Sequence, residues 1–268
     1  MKAFFIQSNK LNSIEYLRKK IFASIKMKRT LVIGDIHGGL KALIQLLQKT
    51  NLVATDKLIF LGDYVDGWSE SAQTIDYLME LNKTYDCVFI KGNHDAWCQD
   101  WLNGKNADQT WLRHGGRETI ESYKNYSALT IEIHRKFFNA LQNFFIDEEN
   151  RLFIHAGFSS MQGPVKEMYA SNFSWDRTLW EMALVLDKTI DATSKFYPKR
   201  LLLFKEIYLG HTPTTNYDIS IPMNAFNVWN IDTGAAFFGK ISALDIETKK
   251  YWQSEPCFKL YPDEEGRN

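Results

Sequence analysis

Five short segments carry residues able to bind metal ions: Gly34-Asp35-Ile36-His37-Gly38, Gly62-Asp63-Tyr64-Val65-Asp66-Gly67, Gly92-Asn93-His94-Asp95, His155-Ala156-Gly157 and Gly210-His211-Thr212. Each pairs a small residue, which lets the backbone turn tightly beside a ligand, with Asp, Asn or His donors. Carboxylate oxygen, amide oxygen and imidazole nitrogen together suit Mn²⁺, Fe or Zn²⁺ better than Ca²⁺. No segment contains Cys, which argues against a structural zinc site. A lone Gly-Asp, or a His beside a turn, is ordinarily structural. Five such segments in one chain, each behind a predicted strand, are a strong signal of divalent-cation chemistry.

The elements that must position these donors follow from periodicity. Thr30–Ile33 is an apolar, β-branched run ending in Gly-Asp, and Leu40–Leu47 repeats apolar residues at helical spacing. Lys57–Leu61 is a second run ending in Gly-Asp, followed by a helical stretch through Ile75, Leu78 and Leu81. Cys87–Ile90 leads into Gly-Asn-His, and Arg151–Ile154 ends in His-Ala-Gly. The region from Asp95 to Phe145 reads as mostly helical, as does Asp176 to Lys188. Strands return at Ile207–Leu209, Asn227–Ile231, Lys240–Leu244 and Tyr251–Gln253. This is an α/β rhythm without internal repeats or a low-complexity linker, so a single main domain is expected. In such sheets, sites gather beyond the carboxyl ends of the strands, where loops distant in sequence converge.

Composition narrows the function classes. With 45% hydrophobic and 24% charged residues over 268 positions, the chain has globular composition and enough length for a large core. Thirty-two Lys+Arg balance thirty-two Asp+Glu, so no global field recruits nucleic acid or an anionic membrane. Cys87, Cys98 and Cys257 form no CxxC pair, and no apolar run is long enough to span a bilayer. A reduced, cytoplasmic setting is expected. One asymmetry is local. Residues 1–29 are strongly basic, with Glu15 the single acid, and Leu11–Ile25 has the spacing of a basic amphipathic helix. Because Met27 opens MKRTLVIGD, residues 1–26 read as an extension upstream of an internal start, and 27–268 as the folded domain.

The five segments resemble those of the calcineurin-like metallophosphoesterase superfamily, in particular its phosphoprotein phosphatase branch of Ser/Thr protein phosphatases and bacterial diadenosine tetraphosphatases. The resemblance runs from about Arg29 to Glu247. It implies a four-layer α/β (α+β) fold, a central β-sandwich flanked by helices, with two divalent metal ions at the sheet edges, Mn²⁺ in first place and Fe or Zn²⁺ as alternatives. By the family pattern, Asp35 and His37 resemble ligands of the first metal and Asp63 bridges both. Asn93, His155 and His211 resemble ligands of the second, with Asn93 also near the substrate phosphate. His94 resembles the general acid, and Asp66 the carboxylate that orients it. Thr212-Pro213 follows His211 where the wider superfamily commonly has a second His, which favours the phosphoprotein phosphatase branch. Two cations about 3.5–4 Å apart can hold a bridging hydroxide for in-line attack on phosphorus and neutralise the phosphoryl oxygens.

The sequence also departs from the pattern. The family's second segment usually carries an Arg after its second Asp, gripping phosphate; here that position is Gly67, followed by Trp68. One guanidinium fork is therefore missing. Trp68 offers either a flat face to a nucleobase or plain packing. Arg177, within Ser174-Trp175-Asp176-Arg177, resembles the family's other phosphate-binding arginine, the competing reading being a surface salt bridge. Arg113 and Arg117 are further candidates for the lost clamp. His114 and His134 read as hydrogen-bonded structural residues. Gly234–Lys240 has phosphate-loop spacing, but Ile241 follows and a strand succeeds it, so a turn is expected. Trp97, Trp101 and Trp111 read as packing rather than a base-stacking platform. The leading expectation is a metal-dependent phosphomonoesterase of the Ser/Thr phosphatase type, acting on a phosphorylated protein or a small phosphoester. The alternative is a dinucleoside polyphosphate hydrolase, and a silent phosphate-binding module ranks third.

Overall fold

The computed structural model describes residues 29–267. The expected basic helix Leu11–Ile25 and the boundary at Met27 lie outside the described residues. Among the described residues, ten strands form two five-stranded mixed sheets. The first has β1 (Thr30–Ile33), β2 (Lys57–Phe60) and β3 (Asp86–Phe89) parallel, extended by antiparallel β9 (Ser242–Asp245) and β10 (Tyr251–Gln253). The second has β5 (Arg151–Ile154), β6 (Glu206–Leu209) and β8 (Val228–Asn230) parallel, with β4 (Phe144–Ile146) and β7 (Met223–Ala225) as antiparallel edges.

The apolar runs are explained by two-sided burial. In β1, Leu31 and Ile33 face the helices outside the first sheet, whereas Val32 faces the second sheet. In β2, Leu58 and Phe60 point outward and Ile59 inward. The mirror pattern holds in β5 and β6, where Leu152, Ile154, Ile207 and Leu209 pack outward and Phe153 and Tyr208 inward. Strands buried on both faces carry continuous hydrophobic sequence, with the period of two hidden inside the run. The inner layer joins Val32, Ile59 and Leu244 of one sheet to Phe153 and Tyr208 of the other, whose rings stack 5.0 Å apart. Helices Leu40–Thr50 and Ser71–Thr84 lie in the cluster outside the first sheet, and Thr178–Val185 in that outside the second. The expected four-layer sandwich is therefore present.

The stretch from Asp95 to Phe145 is mostly helical, as expected, with an interruption where the chain kinks at His114 and Gly115, and its end is the edge strand β4, which periodicity did not indicate. Glycine at 115, with φ +97°, makes that interruption sterically accessible. Edge strand β7 also went unread, being a three-residue strand of mixed polarity. The segment Gly234–Gly239 is a turn between β8 and β9, as expected. No described helix is long and apolar enough to cross a membrane.

Candidate active site

All five donor segments lie just beyond the carboxyl ends of parallel strands: β1, β2, β3, β5 and β6. To turn donors back over the sheet edge, the backbone adopts an uncommon conformation at four of them. His37 (φ 53°), Asp63 (φ 52°), Asp66 (φ 72°) and His211 (φ 67°) are all left-handed. Non-glycine residues take this region at a cost of about 1–3 kcal/mol each, and persist there only where the surroundings enforce it. Hydrogen bonds supply the enforcement. The carboxylate of Asp95 accepts from the backbone N–H groups of Asp63 (2.7 Å), Tyr64 (2.9 Å) and Gly92 (2.8 Å), tying the second loop to the third. Close approach does the rest: a side chain at Gly210 would collide with Oδ1 of Asp35, and one at Gly92 with Oδ1 of Asp63.

The donors converge, all of them buried. Oδ2 of Asp63 lies 3.6 Å from Nε2 of His37 and 3.4 Å from Nε2 of His155. Oδ1 of Asn93 lies 3.2 Å from Nε2 of His155 and 2.9 Å from Nδ1 of His211. Asp35 accepts from the backbone N–H of His211 at 3.2 Å and stands 3.9 Å from Nε2 of His37. Backbone carbonyls orient two of the rings: Nδ1 of His37 sits 2.9 Å from the Asp66 oxygen, and Nδ1 of His155 2.9 Å from that of Leu61. His94 approaches differently. Its Nδ1 lies 2.7 Å from Oδ2 of Asp66, which also accepts from Nε1 of Trp111 at 2.7 Å, while Oδ1 accepts from Thr119 at 2.6 Å. Nε2 of His94 is thereby the ring atom left for chemistry.

Electrostatics show how poorly this cluster satisfies itself without cations. Burial pushes Asp35 well above the ordinary carboxylate range, and the neighbouring Asp232 pushes it further. Burial opposes the charged form of Asp63, but His155 and His94 outweigh it and hold the carboxyl well below its usual value. Burial likewise works to lower His155, yet Asp63 carries it up to about 10. Burial drives His37 and His211 well below the ordinary imidazole range and His94 down to about 3. Asp66 is raised by burial, against the downward pull of Thr119 and Trp111. Nε2 of His211 is buried with no hydrogen-bond partner. Divalent cations fit this donor set. Two compact groups, His37–Asp63–His94 and Asp63–His155–His211, each keep their ligand atoms within 4.8 Å and share Asp63.

The site opens into a cleft of about 280 Å³. Arg177 lines it, exposed, and its guanidinium makes no hydrogen bond or ion pair with a described residue, so the surface salt-bridge reading has no partner. Arg113 and Arg117 do not reach this cleft; they line a separate one of about 850 Å³ beside Gly67. Trp68 is fully buried, donates through Nε1 to the Ala235 carbonyl at 2.7 Å and stacks on Tyr261 at 5.2 Å, so packing is its role. The three tryptophans divide. Trp111 holds Asp66, Trp101 packs against Trp111 and Tyr123, and Trp97, packed against the core as expected, also lines the cleft with Trp175. His114 also lines the mouth, its Nδ1 2.7 Å from the Thr110 carbonyl, and His134 is held between Tyr123 and Asp76. One cluster member was missed: Asp232, which follows β8, lines the cleft and is pushed up to about 6 by burial. The signal was available, since an acid just behind a predicted strand end is also what Asp35 and Asp63 present.

Comparison with known proteins agrees with this geometry. The Calcineurin-like phosphoesterase family matches residues 28–235. The chain is 26% identical over 233 residues to a bis(5'-nucleosyl)-tetraphosphatase PrpE of Anoxybacillus flavithermus, covering 80% of this chain and 88% of that one. It is 28% identical over 249 residues to the PrpE protein of Bacillus thuringiensis, covering 84% and 94%. Among solved structures, a putative diadenosine tetraphosphatase superposes with a TM-score of 0.58 at 16% identity, covering 85% of this chain and 94% of that one. A Saccharomyces cerevisiae serine/threonine phosphatase superposes with a TM-score of 0.56 at 14% identity, covering 87% and 81%. With a sandwich of matching architecture and a buried Asp/His/Asn cluster at its strand ends, the chain belongs to the calcineurin-like phosphoesterase family and is a metallophosphoesterase.

Proposed function

We propose that this enzyme hydrolyses dinucleoside polyphosphates, of which diadenosine tetraphosphate is the representative substrate. The observation that carries the reading is the aromatic wall of the cleft. Trp97 and Trp175, with ring centroids 5.1 Å apart and planes at 74°, stand at the mouth beside Phe237, and Trp175 is 44% exposed. Such rings offer flat apolar faces next to a phosphate site, and base stacking is worth about 1–3 kcal/mol. The names of the PrpE relatives support the same substrate class. A Ser/Thr phosphatase-like phosphomonoesterase is the second reading; resemblance to the yeast phosphatase supports the fold it needs. The sequence ranks that reading first, and the aromatic wall reverses the order.

In this reading Asp35, His37 and Asp63 would hold one divalent cation, and Asp63, Asn93, His155 and His211 the other. Such cations, Mn²⁺ by preference, would supply Lewis acidity toward the phosphoryl oxygens and toward water. The remaining work falls to side chains. Arg177 meets phosphoryl charge at the cleft wall, and Asn93 lies against the same phosphate. Asp66 fixes Nδ1 of His94, so that Nε2 delivers a proton to the oxygen that leaves phosphorus. No covalent enzyme intermediate is required: water forms the new P–O bond as the bond to the bridging oxygen breaks.

Chromatography of a diadenosine tetraphosphate digest by the Mn²⁺-supplemented protein tests the reading. Trp97→Ala should lower kcat/KM for the dinucleotide by about 5- to 150-fold, the equivalent of one stacked base, beyond whatever loss of p-nitrophenyl phosphate turnover follows from its edge-on contact with His94. An unchanged dinucleotide peak, with brisk hydrolysis of a phosphopeptide, would transfer the assignment to the protein phosphatase reading.

A further inference from the structure

The guanidinium missing at Gly67 has a counterpart from the far end of the described chain. Arg267 lines the same cleft as His37, Asp63, His94 and Asp232. Its stem occupies the space outside Gly67: a Cβ built on Gly67 would stand 3.3 Å from Cγ of Arg267. Gly67 itself adopts φ +125°, a conformation that L side chains rarely take, so an arginine at position 67 would be both strained and crowded. The Arg267 guanidinium lies over Phe237, with Cζ 5.3 Å from the ring centroid. It forms no ion pair and no hydrogen bond with any described residue, and its Nε is buried without a partner. A half-buried guanidinium with unused donors beside a cluster of metal-ligand side chains has the chemistry to receive a phosphoryl oxygen.

The other departure at this loop, Trp68, builds the support for that placement. Trp68 stacks on Tyr261, and its ring also lies against Gly266, where a Cβ would approach to 2.8 Å. Tyr261 is anchored in turn by the backbone N–H of Lys41, at 2.9 Å from its hydroxyl, and by a hydrogen bond to Glu70. Glu264 accepts from the backbone N–H of Ser69 at 2.9 Å and from its hydroxyl at 2.7 Å. The backbone N–H of Arg267 donates to the Ala236 carbonyl at 2.9 Å. The segment is therefore fastened on both sides of Gly67, so Arg267 enters the cleft from a held backbone.

We infer that Arg267 is the phosphate-binding arginine of this site, delivered by the segment 262–267 into the space that Gly67 leaves open and paved by Trp68. The inference rests on the phosphoester-hydrolase reading of the cleft. It assigns Arg267 and Arg177 as the two guanidinium groups that meet the phosphoryl charge, and it leaves Arg113 and Arg117 outside that role.

The test compares the full chain with Arg267→Met, which keeps the stem against Gly67, and with Arg267→Lys. Readouts are steady-state kinetics, binding of inorganic phosphate by calorimetry, metal content and thermal melting. Arg267→Met should weaken phosphate binding and raise KM by roughly 10- to 150-fold, the loss of one charge-assisted contact. Metal content and melting should stay as in the wild type, and Arg267→Lys should recover part of the affinity. Phosphate affinity and KM within about twofold of wild type, in a folded, metal-replete Arg267→Met protein, would overturn the inference. Should the wild type turn over no phosphoester yet bind phosphate in an Arg267-dependent way, the arginine assignment stands and the catalytic reading fails.

Discussion

Replacing Thr119 with Val should shift the acidic limb of the pH–rate profile, because one hydroxyl controls how readily Asp66 takes up a proton. Thr119 is fully buried and donates to Oδ1 of Asp66 at 2.6 Å, while Oδ2 receives Trp111 and faces His94. Valine preserves the volume and deletes this donor. A hydrogen bond to a charged group is worth about 1.5–3 kcal/mol, and each pKa unit corresponds to about 1.4 kcal/mol, so the Asp66 carboxylate should become harder to ionise by about one to two units. The sign is upward: burial already raises this carboxyl, and Thr119 is the first of the contacts that lower it. The acidic limb of kcat should therefore move to higher pH by that amount, with the basic limb and metal content unchanged. The backbone N–H of Asp66, which also donates to the Thr119 hydroxyl, retains Ser71 as an acceptor at 3.2 Å, so the fold should survive. The assay is initial rate against pH at saturating Mn²⁺ and substrate for both proteins. An unmoved acidic limb in a stably folded variant would refute the claim that Asp66 governs the His94 proton.

Two further outcomes follow from the same cluster. Asp63→Asn removes the carboxylate common to both donor groups, so metal analysis should show loss of bound ion, and activity should fall by more than the roughly 10–100-fold typical of changes one shell further out. Full metal occupancy in that variant would remove Asp63 from the bridging role. Chelated protein should lose stability between pH 7 and pH 8.5. His155 is raised to about 10 when folded, against an ordinary value of 6.5, so its contribution is complete below 6.5 and drains as pH climbs toward 10. His37, His94 and His211 are lowered and neutral in both states across that window. Urea midpoints should fall as pH rises without metal and much less with Mn²⁺ bound; equal slopes would contradict the assignment of His155 as a ligand.

The sandwich was legible because most of its parallel strands are buried on both sides and so read as apolar runs closed by a glycine and an Asp, Asn or His donor. The convergence of Asp35, His37, Asp63, Asn93, His155 and His211 followed from that topology, since parallel strands send their carboxyl ends to one edge. What stayed hidden depended on contacts between distant segments. Trp68 could face a base or the interior, and only Ala235 and Tyr261 decide it. Arg267 lies two hundred positions from Gly67 in sequence, and no local pattern couples them. Trp97 and Trp111 carry the same residue type yet do different work, because one ends at the cleft and the other beneath Asp66. Strand β7 mixes polarities, and β4 follows directly on an apolar helical stretch, so neither stands out as a separate apolar run.

The donors come from two leaves of the molecule: Asp35, His37, Asp63 and Asn93 from one sheet, His155 and His211 from the other. What sets the gap between the leaves is the greasy filling of Val32, Ile59, Leu244, Phe153 and Tyr208. That filling is a calliper. Its girth decides how far the donors of one leaf stand from those of the other, so trimming Phe153 should retune the fit of any bound cation from within the hydrocarbon interior.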